Sequence, residues 1–352
     1  MVNKAGFGPA LTVLNDTDAG ASHFGCHRVM NNIRTLCLRH DLDLVATVPS
    51  ATPLSSPAMR RAIRRADMVL VNGEGTLHHG RRRASWLIDA MAYAKSRGKP
   101  VALINALYQD NPDSWNAVLR QADVIQARDS RSAAALSAAT GRAVDCAGDL
   151  ALFDTHKRPL PGRRAGIVFG DSVHIKTTRR LFSVARHVAR LAPARVVPVT
   201  RYRRAVQPGN WLPFNFQTLY AYYCHRKAPK YARMVSFAGS PQAYMKSLER
   251  SALSVTGRFH AVCFALLTRT PFVAVASNSW KMEAMIDDAG LDPARLVTPH
   301  QLSRETVLDH DWAYSELELA AIDRYLANTR TSLDHLFCSL HGLVDSAAAR
   351  AA

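Results

Sequence analysis

Short apolar or β-branched runs alternate with longer segments of helical periodicity along most of this chain. That alternation restricts the fold more than any other feature. "ALTVLND" (10–16), "LDLVATV" (42–48), "DMVLVNG" (67–73), "KPVALINAL" (99–107), "DVIQARD" (123–129) and "AVDCAGD" (143–149) read as strands. Helical segments are expected between them, over 26–40, 55–66, 85–98, 113–122 and 130–140. In the first of these, Val29, Ile33 and Leu36 fall at helical spacing. A second series follows, with strands over 165–171, 194–202, 252–257 and 270–277. Its helices are expected over 177–191, 240–251, 258–268 and 279–290. Strand–helix–strand repetition argues for parallel strands joined by crossover helices. "DTHKRPLPGRR" (154–164) interrupts the pattern with prolines, a glycine and basic residues, and reads as a linker. The expectation is an α/β protein of two Rossmann-like domains, 1–157 and 158–352, the second ending in one or two closing helices over 312–343. The aromatic-rich stretch 207–230 fits neither element type and reads as a lid or an insertion.

A length of 352 residues accommodates two domains of ordinary size. No run approaches the roughly 18 to 20 apolar residues of a membrane span. The opening "MVNKAGFGPALTVLND" is too quickly polar for a secretory leader, and a cytoplasmic location is expected. Cys26, Cys37, Cys146, Cys224, Cys263 and Cys338 form no C-x-x-C pair. They read as reduced core cysteines of a cytosolic protein. The formal charge of +17 points to acidic partners. Arginine clusters at 60–65 and 81–83 suggest peripheral contact with anionic membrane, although solvated helix faces explain them as well. No zinc-finger spacing or RNA-binding aromatic motif is present, so no nucleic-acid partner is expected.

Ligands of open α/β sheets bind at the carboxyl ends of the strands. "ALSVTG" ends at Gly257, and Arg258 and His260 open the next helix. "PFVAVAS" ends at Ser277 and Asn278, with Lys281 a turn later. Two parallel neighbouring strands would place these residues on one edge, beside two helix N-termini that favour an anion. Arg258 and Lys281 supply charge, Arg258 in a fork that suits phosphate or carboxylate. His260 is the member of the set able to move a proton near neutral pH. The first half repeats the logic. Asn72, Gly73, Glu74, Gly75 and Thr76 close one strand, and His78 and His79 follow. Asn15, Asp16 and His23 follow the first strand, while Asn105 and Arg128 end two others. His78 and His79 lack a third ligand at metal spacing, so no metal is expected there.

These residues stand in a familiar order. "NDTDAGASHFGCH", "VLVNGEGTLHH", "ARDSRSA" and above all "TGRFHAVCFALLTRTPFVAVASNSWK" resemble the polysaccharide pyruvyl transferase family over residues 10–290. The N-terminal loop lacks that family's G-N-x-G-D run, and "GEGTLHH" replaces a triple-glycine turn. The resemblance implies a glycosyltransferase-B-type architecture with an interdomain cleft. It implies transfer of the enolpyruvyl unit of phosphoenolpyruvate to a sugar of a polysaccharide or of its lipid-linked precursor. Arg258 and His260 then become the anion-binding and catalytic pair, with Gly257, Ser277, Asn278 and Lys281 on the donor side. Glu74 is expected to orient or deprotonate the sugar. Asn15, Asp16, His23, Asn72, Gly73, Gly75, Thr76, His78, His79, Asn105 and Arg128 would line the acceptor side. Such a reaction needs no metal or other cofactor. Two alternatives stay open: a glycosyltransferase using a nucleotide-activated sugar, and a non-catalytic polyanion-binding protein.

Overall fold

The structure is a computed structural model that describes residues 8–19, 23–154, 164–200 and 234–351, the last seven by their backbone alone. Most of the proline-rich break, the aromatic-rich stretch and Cys224 lie outside the described residues. Chain contacts define two compact units. Met1–Ala21, Cys26–Asp154 and Arg324–Ala352 make the first, and Ser22–Gly25 with Thr155–Asp323 make the second.

The sheet of the first unit contains β1 (Ala10–Asp16), β2 (Asp43–Pro49), β3 (Met68–Asn72), β4 (Val101–Ala106), β5 (Val124–Ala127) and β6 (Asp145–Cys146). All pairs are parallel, in the order β2-β1-β3-β4-β5-β6. Every residue of β3 and β4 is buried, which is why "MVLVN" and "VALINA" are near-continuous apolar runs instead of alternating ones. The crossovers are α1 (Phe24–Arg39), α2 (Pro57–Arg65), α3 (Arg82–Ser96), α4 (Asn116–Arg120) and α5 (Ser130–Thr140). In α1, Val29, Met30, Ile33, Leu36 and Cys37 form the buried stripe. Asp129 caps α5 by accepting from the Ser132 N–H at 2.7 Å, and Gly141 ends it in the left-handed conformation. The strand expected over 143–149 shrinks to the two exposed residues of β6, an edge strand with one neighbour. Cys146 is exposed there, as is Cys338, so these two are not core cysteines.

The second unit has the sheet β7 (Ile167–Ser172), β8 (Ala194–Val196), β9 (Leu253–Gly257), β10 (Phe272–Val275) and β11 (Leu296–Val297). It is again all parallel, in the order β11-β10-β9-β7-β8. Its helices are α6 (Ile175–Val188), α7 (Pro241–Glu249), α8 (Phe259–Thr268), α9 (Lys281–Asp288) and α10 (Arg304–Leu308). All ten residues of α8 are buried, which explains a segment apolar on every face.

A single 36-residue helix, α11 (Glu316–Ala351), forms the tail. No glycine or proline interrupts 316–341, so nothing divides it. A division at 157/158 gives this tail to the second half, but from Arg324 it counts with the first unit. Leu333, Phe337 and Leu340 are buried, and Asp334 accepts from Arg39 at 2.9 Å and pairs with His40 at 3.1 Å.

Candidate functional site

Each sheet has a topological switch point, where the strand order reverses and loops diverge to leave a crevice at the carboxyl ends. In the second unit this lies between β7 and β9, where Ser172 stands in register with Gly257. A side chain at Gly257 would put its Cβ 2.6 Å from that of Ser172, so only glycine lets the two strand ends close up. Arg258 is the N-cap of α8. Its backbone N–H donates to Thr256 Oγ1 at 3.1 Å. Its guanidinium donates from Nε and Nη2 to one oxygen of Asp171, at 2.8 and 2.6 Å.

His260 sits in the first turn of α8 and is buried. Its ring meets that of Phe259 at 5.4 Å and that of His23 at 5.3 Å, both edge-on. By sequence order His23 belongs with the first half; the structure places it in the second unit, where its backbone bridges Thr200. Burial, and then the charges of His260, Arg258 and Lys281, push the His23 imidazole well below its ordinary 6.5. Lys281 opens α9 and donates to Asn278 Oδ1 at 2.8 Å; Ser277 Oγ donates to the same oxygen at 3.2 Å. Beneath this edge Tyr244 is fully buried between Phe24 and Phe264. Burial, then the Asp171 charge, pushes its phenol upward, so it stays neutral.

A cavity of about 660 Å³ opens farther along this edge, at the start of α6. His174, Lys176, Thr177, Arg180 and His300 are among its lining residues. Arg258 and His260 are not among its lining residues.

The switch point of the first unit lies between β1 and β3, and its polar residues largely bind one another. Asn15 Nδ2 donates to the Asn72 carbonyl at 2.6 Å and to Thr76 Oγ1 at 3.0 Å. Asn105 Nδ2 donates to Asn72 Oδ1 at 3.3 Å, and Asn105 Oδ1 accepts from the Leu150 N–H at 3.1 Å. Asn15 and Asn105 both adopt positive φ at strand ends, which these bonds hold in place. Gly73 and Gly75 continue the turn, Gly75 at φ +55°. Glu74 is buried and accepts from Thr17 Oγ1 at 2.6 Å and Asn72 Nδ2 at 3.3 Å. Burial, then the Glu74 charge and hydrogen bond, pushes the Cys26 thiol well up, so Cys26 is protonated. Asp16 accepts from the N–H groups of Asp18 and Ala19, and Arg34 lies 3.7 Å from its other oxygen. His78 is buried, whereas His79 faces outward to Asp110 at 3.3 Å. Arg128 is buried against Asp149, with Nη1 3.1 Å from the carboxylate.

With this geometry in hand, the sequence model of the polysaccharide pyruvyl transferases matches residues 24–279. The chain belongs to the polysaccharide pyruvyl transferase family. No curated protein matches it. Similar solved structures include a UDP-N-acetylglucosamine 2-epimerase from Rickettsia bellii, at 11% identity and TM-score 0.56, covering 97% of this chain and 98% of that one. The Methanocaldococcus jannaschii UDP-GlcNAc 2-epimerase, in complex with UDP-GlcNAc and UDP, matches at 8% identity and TM-score 0.54, covering 93% and 99%. At such identities the likeness is one of fold: two parallel α/β sheets of the glycosyltransferase-B type.

For this pyruvyl transferase family member, sequence reasoning missed Asp171, Ser172 and the pairing of His23 with His260. Asp171 ends the strand "IVFGD", the same kind of position that singled out Asn72 and Arg258, but it carries no motif. The strand-end rule alone would have found it.

Proposed function

We propose that the protein transfers the enolpyruvyl unit of phosphoenolpyruvate to sugar hydroxyls of a glycan, giving a pyruvate ketal. What supports this reading is that Arg258 and His260, opening α8 after β9, and Lys281, opening α9 after the neighbouring parallel strand β10, fall on the carboxyl edge of the second sheet. Phosphoenolpyruvate offers two anions, phosphate and carboxylate, for two cations to hold. In the reaction, two C–O bonds form at the carbon bearing the phosphate, and the bond from that carbon to the phosphate oxygen breaks. Two hydroxyl protons are released. One ends on the methylene, which becomes methyl, and the other leaves with phosphate. His260 moves the proton to the methylene, and Arg258 with Lys281 stabilises the departing charge. Glu74 serves the acceptor side through its hydrogen-bonded loop. The exposed Arg60, Arg61, Arg64 and Arg65 of α2 support a salt-sensitive attraction to the anionic surface on which lipid-linked glycans are built.

Thermal shift measurements with phosphoenolpyruvate, CMP-sugars and UDP-sugars, followed by phosphate release with and without glycan, test the reading. Phosphoenolpyruvate should raise the melting temperature, because it binds only the native state. Glycan-dependent phosphate release should follow. Stabilisation by a UDP-sugar and none by phosphoenolpyruvate would replace this reading with glycosyl transfer.

A further inference from the structure

We propose that His23 is a donor-contact residue: beside His260, its fixed-tautomer Nε2–H group donates to the bound anion. The inference deepens the reading above and rests on it for the identity of the anion. Three geometric facts carry it. First, the Gly25 N–H donates to His23 Nδ1 at 3.1 Å. A backbone N–H has no other role to play, so Nδ1 must be the acceptor, and the ring proton of neutral His23 sits on Nε2. Second, a ring nitrogen of His23 lies within 4.8 Å of one of His260. Third, the backbone is shaped for this approach. A Cβ at Gly25 would lie 2.1 Å from His260 Cγ and 2.3 Å from its Cβ and Nδ1. Any side chain at position 25 would run into the His260 imidazole.

The surroundings agree with a donor and exclude a base. Arg258, Lys281 and His260 face His23, and Asp171 is already paired with Arg258. Burial first, and then these groups, push the His23 imidazole well below its ordinary 6.5. Neutral His23 already uses Nδ1 to accept and carries its proton on Nε2, so it has no free lone pair with which to take a proton. It therefore supplies a preorganised neutral hydrogen bond where charge collects, while His260 moves the proton. Asn-type and Gln-type side chains separate the two ring positions, since a Gln amide nitrogen falls near Nε2 and an Asn amide nitrogen near Nδ1.

The test has two arms. In the first, long-range ¹H–¹⁵N spectra of histidine-labelled protein, without any ligand, should show His23 as the neutral Nε2–H form from about pH 6.5 to pH 8, where an ordinary imidazole is still titrating. An Nδ1–H form, or ordinary titration, overturns the proposal. In the second, phosphoenolpyruvate affinity is measured by calorimetry for wild type, His23→Gln, His23→Asn and His23→Leu. His23→Gln should stay within about threefold of wild type, while His23→Asn and His23→Leu should lose about tenfold or more. Equal loss in His23→Gln and His23→Leu overturns it, and should His23→Leu fail to fold, the Gln and Asn pair decides. If the wild type binds inorganic phosphate but not phosphoenolpyruvate, the pyruvyl reading falls. The same variants titrated with phosphate then decide the role of His23. Binding of neither anion overturns both.

Discussion

Arg258 rests both Nε and Nη2 on a single oxygen of Asp171, at 2.8 and 2.6 Å, across the switch point of the second sheet. The Asp171 side chain is almost fully buried, and that of Arg258 is 19% exposed. Charge-assisted bonds of this kind contribute about 1.5–3 kcal/mol and fix the fork's direction. Asp171→Asn keeps the shape but removes the charge. It should weaken phosphoenolpyruvate binding about tenfold while moving the melting temperature by only a few degrees. Tighter binding would mean that Asp171 merely opposes the ligand's charge.

His260→Ala and Arg258→Ala should separate chemistry from binding. Loss of the proton-moving imidazole should lower kcat about 10²- to 10⁴-fold with donor affinity nearly intact. Loss of Arg258 should cost about 2–5 kcal/mol in donor affinity, because the ligand anion loses its buried cation. Near-normal turnover by a folded His260→Ala protein would reject the assigned mechanism.

Gly25→Ala tests the close approach of Gly25 to His260. The added methyl must displace the imidazole or the helix start, and overpacking of this sort costs about 1–3 kcal/mol. Activity should fall more than stability, since His260 is the group displaced. An unchanged kcat alongside a lower melting temperature would show that the helix moves instead.

The two-sheet α/β architecture was legible because central parallel strands must be apolar on both faces, and "MVLVN" or "VALINA" says so locally. Arg258, His260 and Lys281 were legible because each follows a strand end. What the sequence hides is pairing across the chain. Asp171 joins Arg258 only because β7 and β9 are neighbours, and strand order is not written in either segment. His23 precedes the first helix by one residue, yet the Gly25 approach makes it a neighbour of His260. Arg128 shows the converse. At a strand end it looks like a ligand-binding arginine, and only burial against Asp149 shows that its charge is matched internally.

That buried pair gives a prediction of its own. The side chains of Arg128 and Asp149 are 2% and 0% exposed. Asp149→Ala should cost about 3–5 kcal/mol by removing the closer of two carboxylates from the buried guanidinium, Asp129 standing 3.9 Å away. Phosphoenolpyruvate affinity of the folded fraction should not change. A selective loss of glycan binding at unchanged stability would instead assign Arg128 to the acceptor.

Glu318 and Arg295 should impose an acid limit on the second unit. Arg295 is buried and donates to Glu318 from Nε at 2.7 Å and from Nη2 at 2.8 Å. Burial raises the Glu318 carboxyl, but the Arg295 hydrogen bond, the Ser315 N–H, the Arg295 charge and the Asp292 N–H outweigh it. The result lies at about 2, below the ordinary 4.5. A carboxylate depressed on folding stabilises fully above its unfolded value, and that contribution drains as pH falls toward the folded one. The loss should therefore run from about 4.5 down to about 2. Arg295 also donates to the carbonyls of Trp312 and Ala313, at 3.0 and 3.2 Å, so the segment entering α11 depends on the same guanidinium. Glu318→Gln should melt below wild type near neutral pH, and the two melting curves should converge as pH approaches the lower limit. Melting temperatures followed across that range decide the matter. A constant gap at every pH would show that Glu318 acts through packing and not through its charge.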